Sequence, residues 1–141
     1  ASGFCIGEMA TSDIRANEIC ENDGAGVLVQ AGAAARIYGN TMRANGGAGV
    51  EIDGEGTTQI RENDVHSNRG LAGLVIKKAT EVVVHGNHVH ENEAAGILLL
   101  DSANPLLAKN RLIDNAAEGV RWMTAPSKEA ASESQDPQEG P

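Results

Sequence analysis

The stretch Asn63-Asp64-Val65-His66-Ser67-Asn68, followed by Arg69-Gly70-Leu71-Ala72 and then Gly73-Leu74-Val75-Ile76, is one copy of a unit that recurs along the chain. Its first asparagine returns as Asn17, Asn40, Asn63, Asn87 and Asn110, at intervals of 23, 23, 24 and 23 residues. Its second returns as Asn22, Asn45, Asn68, Asn92 and Asn115. Between the two lies an apolar residue: Ile19, Met42, Val65, Val89 or Leu112. A glycine comes four or five places after the second asparagine, at Gly26, Gly49, Gly73, Gly96 and Gly119, and opens a Gly-apolar-x-apolar run. A further apolar residue (Ile14, Ile37, Ile60, Val84, Leu107) stands three places before each first asparagine. Self-similarity at a period in the twenties is the mark of a solenoid.

Alternation of apolar and other residues over three to five positions indicates short strands, and no helical periodicity is present. Some 23 residues per unit, less the turns, leave room for two or three such strands. The fold class that follows is all-β: a right-handed, single-stranded parallel β-helix of about five coils. At the strand spacing of about 4.8 Å, five coils span roughly 24 Å. A leucine-rich repeat has a similar period but needs several leucines per unit at set offsets, and these units carry too few. Both asparagine columns are expected to form turns and a stacked amide ladder, because a short amide bonds nearby backbone and tolerates left-handed conformations. The glycine is expected at a tight corner, with positive φ or a close backbone approach.

Gly3-Phe4-Cys5-Ile6 fits the glycine-strand position of an earlier unit, so the chain enters in mid-coil, as a piece of a longer solenoid would. Residues 1–122 are assigned to the repeats, and Trp122 is a candidate closing element. Residues 123–141, rich in Pro, Ser, Glu, Gln and Ala, are expected to be a disordered acidic tail. The net charge of -9 divides into -3 in that tail (Lys128 against Glu129, Glu133, Asp136 and Glu139) and the remaining -6 in the coils. An acidic surface disfavours nucleic acid and anionic membrane as partners. Cys5 and Cys20 fall at different repeat positions, so no disulfide is implied. An intracellular setting is favoured.

The unit resembles the parallel β-helix repeat family, which includes pectate-lyase-like enzymes, alginate epimerases, copper-maturation accessory proteins and a group of F-box proteins. The resemblance covers residues 3–122, and stretches such as Arg61-Glu62-Asn63-Asp64-Val65-His66-Ser67-Asn68 and Asn104-Pro105-Leu106-Leu107-Ala108-Lys109-Asn110-Arg111-Leu112 are most similar to the F-box group. It implies either a surface that presents substrate to a ubiquitin ligase or a carbohydrate-active platform. The matching positions make turns and core, so they specify fold far more than function.

Repeat phase sorts the outward positions into columns. One place after the first asparagine stand Glu18, Thr41, Asp64, His88 and Arg111; three places after stand Cys20, Arg43, His66, His90 and Ile113. Asp64, His66, His88 and His90 are therefore expected as a compact patch that could share a metal, supply a base, or simply form a solvated stack. Glu51, Asp53 and Glu55 form the only close acidic run, but the flanking coils supply Leu28 and Gln30 or Val75 and Lys77, so carboxylates do not stack there. On that strand face Leu28, Glu51, Val75, Leu98, Leu100 and Arg121 form an expected binding surface, an exposed apolar strip rimmed by charge. The favoured function is non-catalytic recognition or scaffolding with a protein partner. The alternative is a carbohydrate-active β-helix, lyase-, hydrolase- or epimerase-like, with its active site partly outside this piece. No catalytic residue is assigned here, a carbohydrate ligand is the second candidate, and no cofactor is expected.

Overall fold

The computed structural model describes residues 2–7, 9–79, 81–101, 103–117 and 119–123. The acidic tail beyond Met123 lies outside the described residues. Three parallel sheets run along one axis, and the chain visits them in turn. Sheet A holds β1 (Phe4–Ile6), β4 (Val27–Gln30), β7 (Val50–Asp53), β10 (Ala72–Lys77), β13 (Ala95–Leu100) and β16 (Val120–Met123). Sheet B holds β2 (Thr11–Arg15), β5 (Ala34–Tyr38), β8 (Thr57–Arg61), β11 (Glu81–His85) and β14 (Leu106–Ala108). Sheet C holds β3 (Glu18–Cys20), β6 (Thr41–Arg43), β9 (Asp64–His66), β12 (His88–His90) and β15 (Arg111–Ile113). Phe4 pairs with Val27 at one end of sheet A, and Met123 pairs with Leu100 at the other.

The period of the sequence is the register of the sheets. Ile14, Ile37, Ile60, Val84 and Leu107 stack in sheet B, and Ile19, Met42, Val65, Val89 and Leu112 in sheet C. Val29, Ile52, Ile76, Leu99 and Trp122 stack in sheet A. These inward columns form one continuous core, on which Trp122 packs partly buried. Alternation of inward and outward side chains is what allows three-residue strands to serve both core and surface.

Two hydrogen-bonded ladders run along the corners flanking sheet C. Asn63 Oδ1 accepts from Asn40 N at 2.8 Å and from Asn40 Nδ2 at 3.1 Å, while Asn63 Nδ2 donates to Asn87 Oδ1 and to the Ile37 carbonyl at 3.0 Å each. Asn68 repeats the pattern, donating to Asn92 Oδ1 and the Met42 carbonyl and accepting from Asn45. Asn40, Asn45, Asn63, Asn68, Asn87 and Asn92 are all buried. A buried amide is tolerated only when its donors and acceptors are satisfied, and these are.

The expected turn chemistry needs one correction. The left-handed residue is not the asparagine but the one before it: Ala16, Gly39, Glu62, Gly86 and Lys109 ahead of the first column, and Glu21, Ala44, Ser67, Glu91 and Asp114 ahead of the second, with φ between 53 and 70°. Most of these are not glycine, and each such corner costs about 1 kcal/mol. The asparagine that follows contributes up to four bonds of about 1 kcal/mol net apiece, so the ladder outweighs the strain. The repeated glycine likewise acts through close approach alone. A Cβ on Gly26 would lie 2.7 Å from the Gly49 carbonyl oxygen, and one on Gly96 2.8 Å from that of Gly119.

The 24-residue interval arises in one corner. Four residues, Arg69 to Ala72, separate Asn68 from its glycine where other coils use three, and Leu71 in that corner is 67% exposed. Register is regained at once: Ala72 pairs with Ala95 and Leu74 with Ile97.

Replacing Asn63 with Ala orphans the Asn40 amide and removes a donor from the Ile37 carbonyl, and is expected to cost about 3 kcal/mol in urea unfolding. Asn17→Ala, at the exposed end of the same column, should cost less than about 1 kcal/mol. Equal losses would show that the ladder contributes nothing beyond local turns. Thr58, 1% exposed between Ala35 and Val82, has a hydroxyl without a partner among the described residues. Thr58→Val is therefore expected to raise stability by about 1 kcal/mol, read as a higher thermal midpoint.

Candidate functional site

Sheet C carries the histidines. β9 and β12 are three-residue strands, each held between two buried ladder asparagines, Asn63 with Asn68 and Asn87 with Asn92. Their middle residues, Val65 and Val89, point inward and are fully buried. Asp64, His66, His88 and His90 are thereby turned outward, with Asp64 level with His88 and His66 level with His90.

The geometry separates the four. His90 Nε2 lies 2.7 Å from Asp64 Oδ1, a charge-assisted hydrogen bond across the two coils. His66 stacks on His90 with ring centroids 4.8 Å apart. The potential ligand atoms of Asp64, His66 and His90 all lie within 4.8 Å of one another. His88 stands outside that group; it stacks on His90 at 4.0 Å, and its Nδ1 is 4.0 Å from Asp64 Oδ1. The expected patch of four is thus a triad with a stacked neighbour.

Two partners of the triad were not anticipated. His66 Nδ1 lies 3.0 Å from Ser67 Oγ, and His90 Nδ1 lies 3.5 Å from Glu91 Oε1. Ser67 and Glu91 are the left-handed corner residues before Asn68 and Asn92, a position the repeat could have flagged. Next to the patch, Arg43 Nε donates to Glu18 Oε2 at 2.7 Å, and that carboxylate raises the guanidinium pKa through the hydrogen bond first and its charge second. Desolvation lowers the His88 pKa, with the neighbouring His90 and Arg111 acting in the same direction and Asp64 opposing them.

The outer face of sheet A aligns Leu28, Glu51, Val75, Leu98 and Arg121 in one column, with Leu100 beside it in the column of Lys77 and Asp53. Their burial corrects the expected exposed strip. Val75 is 6% and Leu98 2% exposed, because each is flanked along the column and packed with Ala48, Ala72, Ala95 and Leu100 in a second, smaller cluster. Leu28 and Leu100 are half-buried, and Arg121 is exposed. Asp53 is paired with Lys77 at 3.2 Å, and Glu51 stands between Leu28 and Val75, so the acidic run forms no carboxylate stack.

On sheet B, Tyr38 is the lone Tyr of its column, as the repeat phase implies, and it stands in line with Arg15, Arg61 and His85, each next to an inward core residue. Arg15 sits 5.4 Å over the Tyr38 ring, Tyr38 OH donates to Gln59 Oε1 at 3.0 Å, and Arg61 Nε donates to the same oxygen at 3.1 Å. Cys5 and Cys20 are free thiols.

The profile of the right-handed beta helix region matches residues 2–129. The chain belongs to the right-handed β-helix family. No curated protein and no solved structure matches it. In this β-helix the ladder, glycine and core columns build the scaffold, and the outward columns are left to be interpreted by their own chemistry.

In chelator-treated protein the His88 ring is expected to titrate below the ordinary histidine value, followed by NMR through its C2 proton. A midpoint at or above that value would mean that Asp64 outweighs desolvation. Because the folded pKa is depressed, the neutral His88 ring favours folding above the unfolded pKa, and this contribution is lost as pH falls through and below it.

Proposed function

We propose that this β-helix is a non-catalytic recognition or scaffold module that binds a protein across the outer face of sheet A. In its finer form, the module is the substrate-binding region of an F-box-type ubiquitin ligase receptor. The observation that carries the proposal is the composition of that face: half-buried Leu100 packed against Val75 and Leu98, half-buried Leu28 across Glu51 from them, and Arg121 and the Asp53–Lys77 pair around them. An apolar centre with a charged rim suits a protein surface, and six parallel strands give it a flat, stiff backing. The Asn ladders support the same reading, since a scaffold that does not rearrange loses little entropy on binding.

A carbohydrate-active β-helix is the second reading, favoured by one observation. Tyr38, between Arg15 and Arg61 on sheet B, offers an aromatic ring with cations on either side, a chemistry suited to an acidic sugar.

Leu98 is too buried for a clean surface test, so the informative changes are Leu28→Glu and Leu100→Glu, with folding followed by circular dichroism. Capture of a bound protein should weaken by about tenfold or more. Undiminished capture by a folded double variant would overturn the assignment to sheet A. Binding of acidic oligosaccharides that is lost in Tyr38→Ala would favour the second reading.

A further inference from the structure

We propose that Asp64, His66 and His90 form a divalent transition-metal site of the zinc class on the outer face of sheet C. The donors are one carboxylate and two imidazoles, a set that favours zinc and its neighbours over calcium or magnesium, which take oxygen ligands. Asp64 Oδ1 and His90 Nε2 are already 2.7 Å apart, and the atoms of all three residues converge within 4.8 Å. Zinc bonds of about 2.0–2.2 Å place neighbouring ligand atoms roughly 3.3 Å apart in a tetrahedron. The carboxylate and His90 therefore separate slightly and His66 closes in, movements that side-chain rotation on half-buried residues supplies.

Two further observations point the same way. Each histidine has a polar neighbour at Nδ1, Ser67 Oγ at 3.0 Å for His66 and the Glu91 carboxylate at 3.5 Å for His90, the kind of outer partner that helps orient an imidazole ligand. Nε2 of His90 faces Asp64 at 2.7 Å, and a ring nitrogen of His66 lies within 4.8 Å of both. The backbone beneath does not have to organise on binding. Both ligand strands are bounded by buried asparagines bonded from coil to coil, at 3.0 Å for Asn63 to Asn87 and 3.0 Å for Asn68 to Asn92. Zinc takes the place of the proton shared between His90 and Asp64, and three protein ligands leave one position for water. This inference stands independently of any partner on sheet A.

The test is calorimetric titration of the chain with zinc chloride, paired with cobalt(II) absorption spectra. One metal per chain is expected at micromolar affinity, with cobalt bands of a low-coordinate nitrogen and oxygen site. Asp64→Asn, His66→Ala and His90→Ala should each weaken binding by about tenfold or more, and Glu91→Gln by a smaller factor as a positioning residue. His85→Ala on sheet B and Cys20→Ser should leave it unchanged. Should an alanine variant unfold, NMR of the unaltered chain decides: zinc is expected to shift the ring signals of His66 and His90 and to leave those of His85 in place. No uptake at micromolar zinc, uptake indifferent to Asp64→Asn and His90→Ala, or uptake lost in Cys20→Ser would each overturn the proposal.

Discussion

The amide of a buried asparagine has two donors and an acceptor that cannot be left unmet in an apolar interior. In this chain each one meets them by reaching to the coil on either side, donating forward to the next amide oxygen and backward to a core residue's carbonyl. The spacing of the coils, the position of the corners and the direction of every strand between them depend on that reciprocity. The hydrophobic core then fills a tube whose outline is already set. Its columns of Ile, Val, Leu and Met need only match in volume, which explains how so few aromatic residues suffice.

The same constraint divides the chain chemically. Residues that face the axis, bond the ladder or lie under a neighbouring carbonyl are committed to the fold. What remains is a set of outward columns in which unlike side chains are brought to strand spacing from residues more than twenty positions apart. A carboxylate and a histidine that would be strangers in a globular protein of this composition become hydrogen-bonded neighbours here, as Asp64 and His90 are. The identity of each outward residue is free, and its address is not.

Much of this was legible in the sequence because a strict period converts position into geometry. The inward columns, the level pairing of Asp64 with His88 and of His66 with His90, and the interruption of the acidic run by Leu28 and Val75 all follow from counting. Burial on the outer face did not follow. Val75 and Leu98 are covered by lateral neighbours, including Ala48, Ala72 and Ala95 ahead of Gly49, Gly73 and Gly96, and a column says nothing about the width of what stands beside it. The corners were misjudged for a related reason. Glu62, Ser67, Glu91 and Lys109 carry no intrinsic preference for left-handed backbone; they adopt it because the following amide is held on both sides. Tertiary bonding there overrides local propensity, and Ser67 and Glu91 became neighbours of the histidines as a by-product.

The extra residue in the Arg69 to Ala72 corner has a wider meaning. One added position would ordinarily turn every later side chain of a β structure to the wrong face. Here Leu71 is pushed outward and the next coil is back in phase by Ala72. The ladder behaves like a framing code with a check mark in every line: a slip is confined to the corner where it occurs and is not copied onward. A chain built this way can acquire loops at its corners one at a time, each a local experiment in recognition, without risk to the coils that carry it.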